Sequence, residues 1–232
     1  MIVIVPSYND RPFMERLLES LYTEPPGASF RVLVVSDFSN DGTEEWLSSL
    51  KGVDVIRPDQ KAYFTRACNL GLEWGLRYTD EEWLFLLNSD TIVTPDWCGA
   101  LQATGKKLKA GIVGATLLNM DGTIQHLGAY GVGYHFNINK HWVRYRQDRL
   151  VPWVTGAAMC INRSVLKRTG TLPPYAYKQY DDSDRRFCWE ARIKYGVEVA
   201  VSVGCQIYHD THEARSIRMS RGDYTRRDIA DG

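Results

Sequence analysis

The chain has 232 residues, 44% of them apolar and 24% charged, with Lys plus Arg equal to Asp plus Glu at 28 each. That profile fits one folded domain with a substantial core and excludes a disordered chain. A formal net charge of +0 also excludes a global field that would draw the protein to nucleic acid or an anionic membrane, so its chemistry must be sought in local groups.

Ile2 to Val5 is a continuous apolar run leading into Pro6-Ser7-Tyr8-Asn9, the pattern of a buried strand followed by a loop. Phe13, Leu17, Leu18 and Leu21 then recur at helical spacing. Arg31 to Ser36 reads as a second strand, and Asp41 to Glu44 has capping-box spacing ahead of a helix carrying Trp46, Leu47 and Leu50. Val53 to Ile56 is a shorter strand and Thr65 to Tyr78 a helix. Trp83 to Leu87 is a further strand, with Asn88-Ser89-Asp90 immediately past its end. This alternation predicts parallel pairing with right-handed crossovers, and ligands in such sheets bind beyond the carboxyl ends of the strands. Ser7-Tyr8-Asn9, Ser36-Asp37 and Asn88-Ser89-Asp90 are therefore expected to converge on one edge.

Beyond about Gly111 the texture changes. Ile112 to Leu118 reads as a strand, and Asn119 to Thr123 carries a D-G turn signal that predicts a hairpin. Gly128 to Arg149 shows no clear period. Ala157 to Ile161 is a strand, Arg163 to Thr169 a short helix, and Asp181-Asp182-Ser183-Asp184 opens a helix with Phe187, Cys188, Ala191 and Tyr195 on one face. Val197 to Val203 is the last expected strand. His209 and His212 follow it, and from Glu213 the tail is polar and rich in arginine. Cys68, Cys98, Cys160, Cys188 and Cys205 show no C-x-x-C spacing, so reduced thiols are expected rather than a zinc knuckle or a disulfide framework. Neither a signal peptide nor a run near the roughly 20 apolar residues of a membrane helix is apparent, which points to a soluble, cytoplasmic protein that could still touch the inner face of a membrane.

Several groups have the residue types that chemistry needs. Asp90 is suited to a hard cation, which takes oxygen ligands from carboxylates and substrate phosphates, although the tripeptide Asn88-Ser89-Asp90 by itself reads more readily as a turn or a helix N-cap. Asp181, Asp182 and Asp184 suit a solvated helix start, or a carboxylate acting as general base. His209 fits either a hydrogen-bonding role or a metal site. Lys61 and Arg66 could neutralise a diphosphate or simply be solvated.

Taken in order, V-P-S-Y-N (Val5 to Asn9), V-S-D-F-S-N-D-G-T (Val35 to Thr43), R-A-C-N-L-G (Arg66 to Gly71), L-L-N-S-D-T-I-V-T-P (Leu86 to Pro95), T-G-A-A-M (Thr155 to Met159), Y-D-D-S-D (Tyr180 to Asp184) and Y-H (Tyr208, His209) resemble the inverting glycosyltransferases of family 2. The resemblance implies the α/β GT-A fold. Its mostly parallel, Rossmann-like central sheet is flanked by helices, with a smaller mixed or antiparallel sheet on the acceptor side. It divides a single domain into a nucleotide-sugar half (1–110), an acceptor and catalytic half (111–212) and a tail (213–232). Pro6, Ser7, Tyr8 and Asn9 would line the donor pocket with Asp37, Lys61, Arg66, Asn88 and Ser89. Asp90 and His209 would hold Mn²⁺ or Mg²⁺, and Asp182 would be the general base, with Asp181 and Asp184 in support. Trp153, Thr155 and Gly156 would lie near the acceptor.

The implied partners are a nucleotide-diphospho-sugar, with UDP or dTDP as carrier, and a glycan, lipid-linked or other hydroxyl acceptor. Single addition is implied because the Q-x-x-R-W element of processive synthases is absent. The chain departs from the family pattern at Ser36, Phe38, Asn88 and Asp181. Two alternatives follow from those departures and the fold: a non-catalytic nucleotide or sugar binding domain, and a sugar nucleotidyltransferase.

Overall fold

Ile2, Val3, Ile4 and Val5 are all fully buried, which on a strand means that both faces of the sheet are covered. They open β1 (Ile2–Ser7) of a structure, a computed structural model, that describes residues 1–25, 30–129, 147–173 and 183–211. Chain order continues with α1 (Arg11–Thr23), β2 (Arg31–Ser36), α2 (Thr43–Ser49), β3 (Val53–Ile56), α3 (Tyr63–Tyr78) and β4 (Trp83–Leu87). There follow β5 (Thr91–Val93), α4 (Trp97–Leu108), β6 (Ala110–Leu118), β7 (Ile124–His126) and β8 (Arg149–Leu150). Last come β9 (Ala158–Asn162), α5 (Arg163–Thr169), α6 (Ser183–Tyr195) and β10 (Glu198–His209).

Among the described residues one ten-stranded sheet runs in the order β3-β2-β1-β4-β9-β6-β10-β5, with β7 and β8 attached to β6 and β10. The first four strands in that order are parallel. β9 runs antiparallel to both β4 and β6, and β10 is again parallel to β6. The antiparallel part expected as a smaller separate sheet is thus continuous with the central one. Strand residues alternate between two cores. Ile2 and Ile4 pack with Cys68 and Leu72 of α3, and Val3 and Val5 with Met14, Leu17 and Leu21 of α1 and Trp97 and Leu101 of α4. Close approach of α3 to β1 depends on Gly71, where a Cβ would lie 2.2 Å from Ile4 Cγ2.

Three local expectations change. The capping box at Asp41–Glu44 does not form: Gly42 is the N-cap of α2, and Glu44 is drawn instead to the Ser36 hydroxyl (2.9 Å) and Arg57 (3.2 Å). The helix expected from Thr65 begins at Tyr63. The last strand does not stop at Val203. Gly204 is taken up in a bulge between Ser202 and Gln206, and β10 runs on to His209. β5 and α4 add to the expected elements, and the hairpin at Asn119–Thr123 joins β6 to β7 antiparallel, as expected. The irregular stretch expected at 128–149 falls largely on residues 130–146, outside the described ones.

Candidate functional site

Pro6 has no N–H to contribute, and the pairing of β1 with β4 ends at Ile4 while that with β2 continues to Ser7. The Asn88 N–H donates to Ala157 O (2.9 Å) rather than to β1. The polar clusters at the ends of β1, β2 and β4 do converge. The Ser89 hydroxyl donates to Asp10 Oδ2 (2.5 Å), the Asn40 N–H to Asn9 Oδ1 (2.8 Å), and the Asp37 N–H to Ser7 O (2.8 Å). Asn9, Phe38 and Tyr63 all have left-handed backbones, with φ of 52°, 61° and 56°. The loops in this region are therefore held in tight, specified shapes, and Phe38, a position where the chain departs from the family pattern, takes a backbone that ordinarily favours glycine.

Asp37 is 4% exposed and works hard within the scaffold. Its Oδ1 accepts from the Ala62 N–H (2.5 Å) and its Oδ2 from the Tyr63 N–H (2.9 Å), so it closes the start of α3 from outside the helix. Lys61 donates to the Asp37 carbonyl (2.9 Å) and lies 3.5 Å from Oδ2, with its ammonium 2.9 Å from the centroid of the Tyr8 ring. Arg66 is the less committed cation: it pairs at 2.6 Å with Asp59, which is 79% exposed, and such surface pairs contribute little. Ser7 Oγ is buried with no hydrogen-bond partner among the described residues.

The second cluster lies where the bulged end of β10 pairs with β5, His209 standing opposite Thr91. His209 Nε2 lies 3.1 Å from Asp90 Oδ1 and 3.4 Å from Asn88 Nδ2. Asp90 O accepts from the Asp210 N–H (2.9 Å), and Asp210 Oδ2 is paired with Arg16 of α1 (2.9 Å). Asn88 Oδ1 is buried without a hydrogen-bond partner among the described residues, a costly arrangement for an amide oxygen unless a ligand satisfies it. One carboxylate, one imidazole and one unsatisfied amide oxygen suit a divalent cation that takes its remaining ligands from phosphates or water. No three His, Cys, Asp or Glu side chains are grouped for a metal among the described residues, so those residues by themselves would supply a partial shell.

Toward the acceptor half, Asp184 Oδ2 accepts from the Gly156 N–H (2.8 Å), and the Thr65 hydroxyl donates to Ser183 Oγ (2.8 Å). The start of α6 is thereby tied to the Thr155-Gly156 loop and to α3, and Asp184 acts here as a tether. Trp153 is 6% exposed and packs 5.3 Å from the His126 ring, a core position rather than an open wall. Asp181, Asp182 and His212 lie outside the described residues. Asp10, Gln125 and Asp210 were not among the expected site residues. Asp10 adjoins the P-S-Y-N motif and was within reach of a sequence argument. Gln125 and Asp210 acquire their roles through residues about 85 and 120 positions away (Gln125–His209, Asp90–Asp210).

The five cysteines are free and buried. Burial pushes Cys98 and Cys188 up to about 12, so neither is a nucleophile near neutral pH. Among the described residues no helix is long and apolar enough to cross a membrane.

Residues 2–169 match the model of "Glycosyl transferase family 2". The chain belongs to that family. Among similar proteins, an uncharacterized protein, y4gI, of Sinorhizobium fredii is 25% identical over 97% of this chain but only 27% of its own length. The O-antigen biosynthesis protein RfbC of Myxococcus xanthus is 30% identical over 54% of the chain and 10% of its own. The chain thus spans well under half of those relatives. An N-acetylglucosaminyl-diphospho-decaprenol L-rhamnosyltransferase of Mycobacterium tuberculosis is 24% identical over 78% of the chain and 67% of its own length. Among solved structures, GalNAc-T7 with UDP, GalNAc and Mn²⁺ superposes with a TM-score of 0.67 at 14% identity, covering 90% of this chain and 43% of that one. Staphylococcus aureus TarS 1–349 with UDP-GlcNAc gives 0.65 at 17% identity, covering 91% and 58%. These likenesses show the GT-A fold, and the family 2 chain described here shares it.

Proposed function

We propose that this chain transfers a sugar from a nucleotide-diphosphate donor to an acceptor hydroxyl in a single inverting displacement. The observation that carries the reading is the meeting of Asn88, Asp90 and His209 at the carboxyl edge of the sheet, beside the loops of Ser7 to Asn9 and Asp37. Family 2 membership supports the reaction class. The UDP named with GalNAc-T7 and the UDP-GlcNAc named with TarS support a pyrimidine nucleotide carrier, UDP or dTDP. The name of the Mycobacterium tuberculosis relative supports a lipid-linked acceptor, and hence work at the inner face of a membrane.

Asp90 and His209, with Asn88 Oδ1, would hold Mn²⁺ or Mg²⁺, which when bound stabilises the negative charge growing on a leaving diphosphate. Tyr8, Ser7 and the backbone of the Asp37 loop would border the nucleoside, and Arg66 can leave its exposed partner to meet the diphosphate. Asp182 takes the proton of the acceptor hydroxyl. The oxygen so freed bonds to the anomeric carbon, the bond from that carbon to the diphosphate oxygen breaks, and its electron pair leaves with the nucleoside diphosphate. One displacement inverts the anomeric centre, and no covalent sugar–enzyme intermediate forms.

Calorimetric titration of UDP, dTDP and GDP, with and without Mn²⁺, on wild type and Asp90→Ala tests the reading. Metal-dependent binding of one nucleotide, lost in Asp90→Ala, is expected. Asp182→Asn should bind the same nucleotide and lose transfer. No binding of any nucleotide under either condition would refute the donor site.

A further inference from the structure

The hairpin between β6 and β7 holds a chain of hydrogen bonds whose direction is set at its outer end. Asp121 Oδ1 accepts from the Thr123 hydroxyl (2.6 Å). That hydroxyl, its proton so engaged, accepts from Asn119 Nδ2 (2.9 Å). The Asn119 amide is thereby oriented, and its Oδ1 accepts from Gln125 Nε2 (3.1 Å). Gln125 Nε2 also donates to the backbone carbonyl of His209 (3.0 Å), an acceptor that has no alternative role. The Gln125 amide can then present only its oxygen to His209, and Gln125 Oε1 lies 2.7 Å from Nδ1. An oxygen acceptor at that distance requires Nδ1 to carry the proton, so in the neutral ring Nε2 holds the lone pair. Nε2 is the atom that faces Asp90 Oδ1 and Asn88.

We propose that Gln125 is the positioning residue of the candidate metal centre: it fixes the Nδ1–H tautomer of His209 and aims the Nε2 lone pair at the cation position beside Asp90. A lone pair facing a carboxylate oxygen is repulsive by itself, and a divalent cation held by His209 and Asp90 would relieve that repulsion. A partner that holds the second ring nitrogen in this way orients the ligand and raises its basicity, and its loss commonly costs about 10- to 100-fold in metal affinity. The D-G turn that reads in sequence as a hairpin connector is therefore also the anchor that sets the direction of the relay. The inference rests on the metal reading of the site given above, and its test has an arm that needs no metal.

The experiment compares wild type, Gln125→Met and Gln125→Glu. Gln125→Met keeps the volume and removes the acceptor, and Gln125→Glu keeps an oxygen for Nδ1 while setting its other oxygen against Asn119 Oδ1 and the His209 carbonyl. In metal-free protein, at a pH well above the ordinary imidazole value of about 6.5, ¹⁵N–¹H correlation through the ring of His209 reports which nitrogen bears the proton. Wild type and Gln125→Glu are expected to show Nδ1–H, and Gln125→Met to shift to Nε2–H or a mixture. Mn²⁺ affinity, read by the loss of the free-ion electron paramagnetic resonance signal, should fall about 10- to 100-fold in Gln125→Met and be partly restored in Gln125→Glu. An Nε2–H or doubly protonated ring in wild type overturns the proposal, and so does an unchanged tautomer in Gln125→Met. A tautomer pattern as expected with no Mn²⁺ bound by wild type, even with UDP or dTDP present, sinks the metal reading and the positioning role with it. Success of the first arm tells that failure apart from the others.

Discussion

Replacing Asp37 by alanine should show that this residue holds the donor-side loops together before it does anything for a ligand. Its carboxylate is 4% exposed and receives the N–H groups of Ala62 and Tyr63, with the Lys61 ammonium 3.5 Å away. Hydrogen bonds to a charged acceptor contribute roughly 1.5–3 kcal/mol each, and loss of a helix cap about 1 kcal/mol. Water will reach part of the opened site, so the net loss for Asp37→Ala should be about 3 kcal/mol. For a domain of this size that is a fall in Tm of roughly 6–12 °C. Asp37→Asn keeps one oxygen but sets an amide N–H₂ against a backbone donor, and should fall between alanine and wild type. Urea unfolding followed by tryptophan fluorescence measures both, and nucleotide titration on the same samples separates stability from binding. Loss of less than about 0.5 kcal/mol in Asp37→Ala, within the ordinary range of surface changes, would refute the capping role and return Asp37 to a purely ligand-directed one.

Two further outcomes follow from packing and burial. Gly71→Ala would set a methyl group 2.2 Å from Ile4 Cγ2, on a β-branched side chain with no exposed surface to move into, and should cost about 3 kcal/mol of stability in denaturant unfolding; a variant as stable as wild type would mean that α3 can lift from β1 at little cost. Cys188 is pushed by burial from 9.0 to about 12 in the folded state, so its contribution is complete below about pH 9 and is lost as pH rises toward 12. The stability difference between wild type and Cys188→Ala should hold steady up to about pH 9 and then move against wild type by about 1.4 kcal/mol per pH unit; a difference that stays level to about pH 11 would refute the assignment.

Much of the donor half was legible from local pattern. Trp83 to Leu87 and Arg31 to Ser36 are β-branched or apolar runs, and they became β4 and β2 with the bounds expected. Their alternation with helices was enough to imply parallel pairing and the convergence of Ser7, Asp37 and Asn88 on one edge. Asp90 and His209 were legible as candidates because a carboxylate and an imidazole stood just past apolar runs. What each would face was not. The capping box at Asp41 had the right spacing and failed, because Ser36 and Arg57 offer Glu44 better partners from another strand and loop.

The sequence by itself determined most of the strands and helices and which polar groups lie at strand ends, since each depends on period and composition within a few residues; the short β5 and the helix α4 escaped it. Tertiary structure alone decided that β10 passes Gly204 through a bulge and carries His209 to within 3.1 Å of Asp90. It also decided that Asp37 caps a helix 25 residues away, and that Gln125 orients an imidazole 84 residues away. Those arrangements come from strand register and loop closure, which bring distant residues within hydrogen-bond range. A hydrogen bond is decided by a few tenths of an ångström, and no local pattern of side chains encodes that distance.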